Sequence, residues 1–361
     1  MTAAAPCSTG MLSLLSDAPA RIAYFGTSVT AQRAGYRPRL HRSLITMTGQ
    51  EHSAIAAGLS GMGSMSGNYL MDLMVLRHVP DLCFVEFSSA DSLSFTPPDL
   101  VGRVLEGMMR RLLGMGCAPV LVHAPHDIGQ ASQIRSALDV YETVAAHYGI
   151  RTVDLWESPE RLGQPNEEVR YDLRHTTALG SRLYAEEIVR QLCDAPARKE
   201  LRSSLPEPLH PDRHEFVAVQ PIPDNAPVTG PAARRLFRGL VGFVKLDSGG
   251  SIQLTPRDGE ASGLLIVAGP DCGVVELSYG GARQAVQLWE PDYAGDSLQA
   301  IVLDPPATGP VTISTSTAEY GDRDRYGRAT RTSHEGSSVG LVGLMVHHDK
   351  PVAATGWWKA R

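Results

Sequence analysis

The chain has 361 residues, a net charge of -6, 43% hydrophobic and 20% charged residues. That length exceeds one ordinary core and predicts two domains, and the mild acidity gives no basic face for nucleic acid or an anionic membrane. No apolar run reaches the roughly 18 to 20 residues of a bilayer span, and the five scattered cysteines, without a CxxC pair, outline neither a disulfide framework nor a zinc site.

The first twenty residues lack a basic residue before Arg21 and a sustained apolar run. They do not read as a secretory signal, so the expected location is cytoplasmic. From Arg21 onward, short apolar runs alternate with helical patterns. Strands are predicted over Arg21–Phe25, Ser53–Ala57, Leu82–Phe87, Pro119–His123 and Arg151–Leu155, with helices over Pro38–Met47, Asn68–His78, Pro98–Leu113, Ser132–His147 and Thr177–Leu192. The repeat of Leu100, Val104, Met108 and Leu112 every fourth residue exemplifies the helical period. Strand–helix alternation predicts a parallel sheet covered by helices on both faces, with ligands at the carboxyl ends of its strands.

Between Ala195 and Pro231 stand eight prolines, too many for a helix or a central strand, so residues 196–231 are expected to be a connector. Beyond it, short glycine-punctuated runs from Gly242–Leu246 to Val339–His347 recur at the spacing of an antiparallel β-sandwich or jelly roll. Glu319–Ser338, polar and rich in Gly, Arg and Ser, is expected to be a surface loop.

Two segments carry chemistry. In Tyr24-Phe25-Gly26-Thr27-Ser28-Val29-Thr30, an apolar strand ends in glycine and presents Ser28 at the carboxyl edge of the sheet. A plain Ser/Thr-rich turn fits as well. In Tyr171-Asp172-Leu173-Arg174-His175, the acid and the imidazole lie three apart, just before the last helix. A serine alcohol needs a base, and the base needs a carboxylate to fix its tautomer, so this pair could complete a triad. Taken singly, Asp172 could equally be a cap and His175 a solvated side chain.

The order of the blocks resembles the SGNH/GDSL hydrolase superfamily over residues 20–193. Gly26-Thr27-Ser28-Val29 is similar to its nucleophile block, Gly58-Leu59-Ser60-Gly61-Met62-Gly63-Ser64 to its second, Val85-Glu86-Phe87-Ser88-Ser89-Ala90-Asp91 to its third, and Asp172 with His175 to its last. The resemblance implies a flavodoxin-like three-layer α/β/α domain over residues 20–195; the sandwich domain read from the β pattern occupies 232–361. It also implies Ser28 as nucleophile, His175 as base, Asp172 as orienting acid, Gly61 as a backbone donor to the oxyanion, and no cofactor. The implied activity is ester hydrolysis on a small-molecule or glycan ester, removing an acetyl or other short acyl group from a carbohydrate or glycoconjugate, with acyl transfer or mere glycan binding as alternatives. Where the family has an asparagine whose amide meets the oxyanion, this chain has Ala90. Ser88 or Ser89 could substitute, turnover could be slow, or the site could only bind.

Other features have duller readings beside sharp ones. His126, after the fourth strand, could touch substrate or belong to a polar loop; a metal there would need further ligands, which the sequence does not supply. Glu86 inside a strand requires a hydrogen-bonding partner. Met62, Met65, Met71 and Met74 suit core packing better than an acyl pocket. Trp289, Trp357 and Trp358 could form a sugar-stacking platform or pack in a small β domain. The sequence does not fix an oligomeric state.

Overall fold

The structure, a computed structural model, describes residues 15–93, 96–127, 131–156, 165–194, 204–223, 229–236, 239–269, 272–288, 297–316, 338–351 and 358–360. The N-terminal segment 1–14, most of the Glu319–Ser338 tract, and Trp289 and Trp357 lie outside the described residues, as does the side chain of Trp358. The chain divides into two compact units, Met1–Glu215 and Phe216–Arg361.

The first unit is built on five strands, β1 (Arg21–Gly26), β2 (Ser53–Gly58), β3 (Leu82–Glu86), β4 (Ala118–His123) and β5 (Arg151–Asp154). They lie in the order β2-β1-β3-β4-β5, and every pairing is parallel. This is the flavodoxin-like order, with β1 next to β3 at the point where the winding reverses. Strands β3 and β4 are buried at every position, as a sheet covered on both sides requires.

The helices are α1 (Ser28–Ala31), α2 (Tyr36–Thr48), α3 (Ser64–Met74), α4 (Ser88–Asp91), α5 (Pro98–Gly114), α6 (Ala131–Tyr148), α7 (Asn166–Val169) and α8 (Ala178–Asp194). Alternation along the strands sorts them into two layers. Ile22, Tyr24, Phe84, Val120 and Val122 point to one face and share a core with Tyr36, Leu40 and Leu44 of α2 and Leu183, Ile188 and Leu192 of α8. Phe25 points to the opposite face, where its ring meets Phe87 edge-on at 4.9 Å. Met62, Met65 and Met71 are buried there in the core manner, and Met74 is half-buried at the end of α3.

Part of the proline-rich stretch is anchored to the first unit. Glu106, fully buried in α5, accepts the backbone N–H groups of Leu209 (2.6 Å) and His210 (2.8 Å) and the His210 ring (2.6 Å). Burial pushes the Glu106 carboxyl up, yet these donors and the Tyr148 hydroxyl outweigh it and leave it below its ordinary value. Farther along the same stretch, Val217–Pro221 forms β6 and Thr229–Leu236 forms β7. Proline is tolerated in them because Pro221 ends its strand and, among the described residues, β6 and β7 each pair with only one neighbour.

The second unit contains β8 (Gly239–Asp247), β9 (Ser251–Leu254), β10 (Glu260–Ala268), β11 (Val274–Tyr279), β12 (Ala282–Gln287), β13 (Ser297–Ala307), β14 (Val311–Thr315), β15 (Ser338–His347) and β16 (Trp358–Ala360). Seven strands form one sheet around the path β13-β10-β15-β8-β16, and four form another in the order β12-β11-β14-β9, all antiparallel. Leu264, Ile266 and Leu344 of the first sheet meet Ile252, Leu277 and Ile313 of the second in a single core, which makes the unit a β-sandwich.

Candidate active site

The carboxyl ends of β1, β2 and β3 are tied together by the backbone alone. The N–H of Leu59 donates to the Gly26 carbonyl (2.7 Å), and the N–H of Thr27 donates to the Glu86 carbonyl (3.0 Å). Gly26 is required here: a Cβ would press against the Glu86 carbonyl and the Thr30 hydroxyl. The chain then turns directly into α1, which Thr27 caps by accepting the Val29 N–H. Ser28 is the first residue of that turn and is half-buried, between the buried Thr27 and Val29.

Glu86 closes the underside of the turn. Its carboxylate accepts the Thr27 hydroxyl (2.8 Å), the Thr27 N–H (3.2 Å), the Thr30 hydroxyl (3.1 Å) and the Ser89 hydroxyl. Burial raises the Glu86 carboxyl above its ordinary value, and the hydrogen bonds from Ser89, Thr27 and Thr30 offset that only in part. The partner that a strand-borne carboxylate requires is thus a cluster of three hydroxyls and one amide.

Asp172 and His175 lie on a small hairpin. An antiparallel bridge joins Arg170 to Thr176, and the Tyr171 N–H donates to the His175 carbonyl (3.0 Å). Inside the hairpin the two oxygens of Asp172 divide their work. Oδ1 accepts the backbone N–H groups of Arg174 (2.8 Å) and His175 (2.7 Å), while Oδ2 lies 2.7 Å from His175 Nδ1. Partial burial would raise the Asp172 carboxyl, but those N–H donors and the adjacent imidazole hold it below its ordinary value. The other ring nitrogen, Nε2, is 2.8 Å from Ser28 Oγ. Ser28, His175 and Asp172 therefore form one hydrogen-bonded line, joining positions 147 residues apart in sequence.

Three contacts that the sequence did not reveal hold the hairpin in place. Gln32, just after α1, donates to the Thr176 carbonyl (2.7 Å) and accepts the Thr176 hydroxyl (3.1 Å). Arg170, almost wholly buried, pairs with Asp127 at 2.7 Å. The Asp127 N–H donates to the Leu173 carbonyl (2.8 Å). A Gln four residues after Ser28 has no sequence signature of its own, because its partners are atoms of a remote loop.

The remaining sequence-predicted residues separate into two groups. Gly61 stands in the exposed turn after β2 with φ of 74°, a left-handed conformation that suits glycine. Ala90 is half-exposed in α4. The hydroxyls of Ser88 and Ser89 are both buried and engaged: Ser88 Oγ lies 3.2 Å from His123 Nδ1, and Ser89 donates to Glu86. His126 is buried too, 2.7 Å from the Ser92 hydroxyl and edge-on to the Trp156 ring. The last acid of the third block, Asp91, accepts the Ser64 N–H (2.8 Å) and the Tyr141 hydroxyl (2.6 Å), fixing the start of α3.

No protein-family model matches the sequence, and no curated protein matches it. Among solved structures the chain is similar to a two-domain esterase active on acetylated mannans (CEX), at 18% identity and a TM-score of 0.69, over 94% of this chain and 94% of that one. For the same kind of esterase co-crystallized with mannopentaose, the values are 19% identity, a TM-score of 0.70, and coverage of 96% and 98%. The likeness is one of fold. It spans nearly the whole chain and agrees with a parallel α/β unit followed by an antiparallel β unit. Among the described residues, no helix is long and apolar enough to cross a membrane.

Proposed function

We propose that the protein is a serine esterase of the SGNH type that removes an acetyl or other short acyl group from a carbohydrate. The observation that carries this reading is the line of 2.8 Å and 2.7 Å contacts running from Ser28 through His175 to Asp172. The fold shared with an esterase active on acetylated mannans supports the choice of substrate class.

In the proposed reaction, His175 Nε2 accepts the Ser28 proton as Oγ bonds to the acyl carbon. Asp172 holds the ring in the tautomer with Nδ1 protonated and stabilises the imidazolium that results. The oxyanion is met by backbone N–H groups, with those of Ser28 and Gly61 proposed for the task. Collapse breaks the bond to the alcohol oxygen, which leaves with the proton from His175. A water molecule then gives its proton to His175, its oxygen attacks the acyl-enzyme, and the carboxylic acid departs as Ser28 regains its proton.

A fluorophosphonate probe tests the nucleophile whatever the natural ester is. The expected result is stoichiometric labelling of the wild type at Ser28 and none in Ser28→Ala, alongside acetate release from acetylated mannan by the wild type alone. Background turnover in both proteins and no labelling would overturn the reading. Transfer of the acyl group to an added sugar acceptor with little free acid would replace hydrolysis by acyl transfer.

A further inference from the structure

Among the described residues, four large hydrophobic side chains are exposed: Val79, Tyr171, Leu173 and Leu209. Two of them fall within three positions of each other, on the hairpin that carries Asp172 and His175. Scattered exposed hydrophobics need no explanation, but a pair beside a reacting centre does. The hairpin fixes both. Tyr171 donates its N–H to the His175 carbonyl, and the Leu173 carbonyl accepts from the Asp127 N–H and from Arg170. One side of the Tyr171 ring stacks on the His175 imidazole, with centroids 5.9 Å apart and planes inclined by 15°. The rest of the side chain faces solvent, at 64% exposure, with Leu173 at 54%.

The chemistry proposed for the site determines what lies beside this surface. The departing alcohol takes its proton from His175 Nε2, so its oxygen must come within hydrogen-bonding reach of that nitrogen. The alcohol portion of the ester therefore lies on the His175 side of Ser28, where Tyr171 is. A flat, open ring suits a flat partner. An alkyl chain laid on it would keep its far side in water, whereas a pyranose presents a face of partly positive C–H groups to the negative face of the aromatic ring and leaves its hydroxyls solvated.

We propose that Tyr171, flanked by Leu173, is a sugar-stacking subsite for the carbohydrate that carries the ester. This rests on the esterase reading of the same site and adds to it the residue that selects the alcohol. It also places the platform in the first unit, on a residue with no tryptophan to flag it.

Two measurements on the full-length protein test the subsite. In the first, kcat/KM is compared on an acetylated mannooligosaccharide and on 4-nitrophenyl acetate. In Tyr171→Ala the ratio of the two constants falls about tenfold, mainly through KM for the oligosaccharide, and Tyr171→Phe keeps the wild-type ratio. Equal losses on both substrates would mean that Tyr171 only steadies His175, and would overturn the subsite. In the second, saturation-transfer NMR follows the unacetylated oligosaccharide with the intact wild type, which needs no turnover. Transfer to one face of a sugar ring is expected, lost in Tyr171→Ala and kept in Tyr171→Phe. No transfer in the wild type, or transfer undiminished in Tyr171→Ala, would overturn it. If neither ester is cleaved while the NMR signal depends on Tyr171, the esterase reading fails and the sugar subsite stands.

Discussion

The residue with the clearest consequence is the one with least chemistry. On the proposed reading Ala90 stands where the resembling family has an amide donor, while beside it Ser89 donates to Glu86 and Ser88 Oγ lies 3.2 Å from His123 Nδ1. Loss of one such donor costs about 10²- to 10³-fold in rate. Ala90 is only partly buried, and Ala90→Asn is expected to raise kcat on 4-nitrophenyl acetate by at least tenfold toward that limit. An unchanged or lower kcat with a well-folded variant would show that the oxyanion lies elsewhere. Glu86 makes a second prediction, in stability. Its folded-state carboxyl is raised by burial, so folding disfavours the ionised form, and stability falls as pH climbs from the ordinary carboxyl value of about 4 through the raised one. Glu86→Gln keeps the shape without that ionisation. The Tm of the variant relative to wild type is therefore expected to increase as pH rises across that window, as scanning calorimetry would record. A constant difference would mean that Glu86 is not the titrating group; the raised Asp91 remains in both proteins and cancels.

At the scale of elements, what was legible follows from which signals are local. The strands and long helices of the first unit carry their own periodicity, and the expected Pro98–Leu113 helix differs from the observed Pro98–Gly114 by one residue. The triad line was legible because a glycine-ended strand and an Asp-x-x-His pair are short patterns that topology then joins. Three kinds of element were not. The single turns Ser28–Ala31 and Ser88–Asp91 are too short to show a period. The helix expected at Asn68–His78 runs instead over Ser64–Met74, because Asp91, from 27 residues away, caps the Ser64 N–H. Strands β6 and β7 hide among prolines, whose prohibition applies to central strands and relaxes where only one neighbour pairs. The hairpin that seats His175 was equally invisible, since Gln32 and Arg170 act on backbone and charge brought from elsewhere.

For the whole molecule, the decisive point is that the proposed site and the β-sandwich draw on different cores. Ser28, Gly61, Tyr171, Asp172 and His175 all belong to Met1–Glu215, and among the described residues the two main apolar clusters share no side chain. A cavity in one core should therefore be felt by that unit first. Leu264 is fully buried in the sandwich, and Leu264→Ala costs about 2–5 kcal/mol there, a fall on the order of 10 °C in the transition of that unit. Ile188, fully buried between α8 and the parallel sheet, is the counterpart in the first unit. Calorimetry combined with fluorophosphonate labelling across temperature separates the two effects. In Leu264→Ala, labelling of Ser28 is expected to persist at the wild-type rate above the lowered sandwich transition. In Ile188→Ala it should cease at a lower temperature while the sandwich transition stays in place. If labelling instead disappears together with the sandwich transition in Leu264→Ala, the geometry at Ser28 depends on the second unit, and the assignment of the reaction to the first unit alone is wrong.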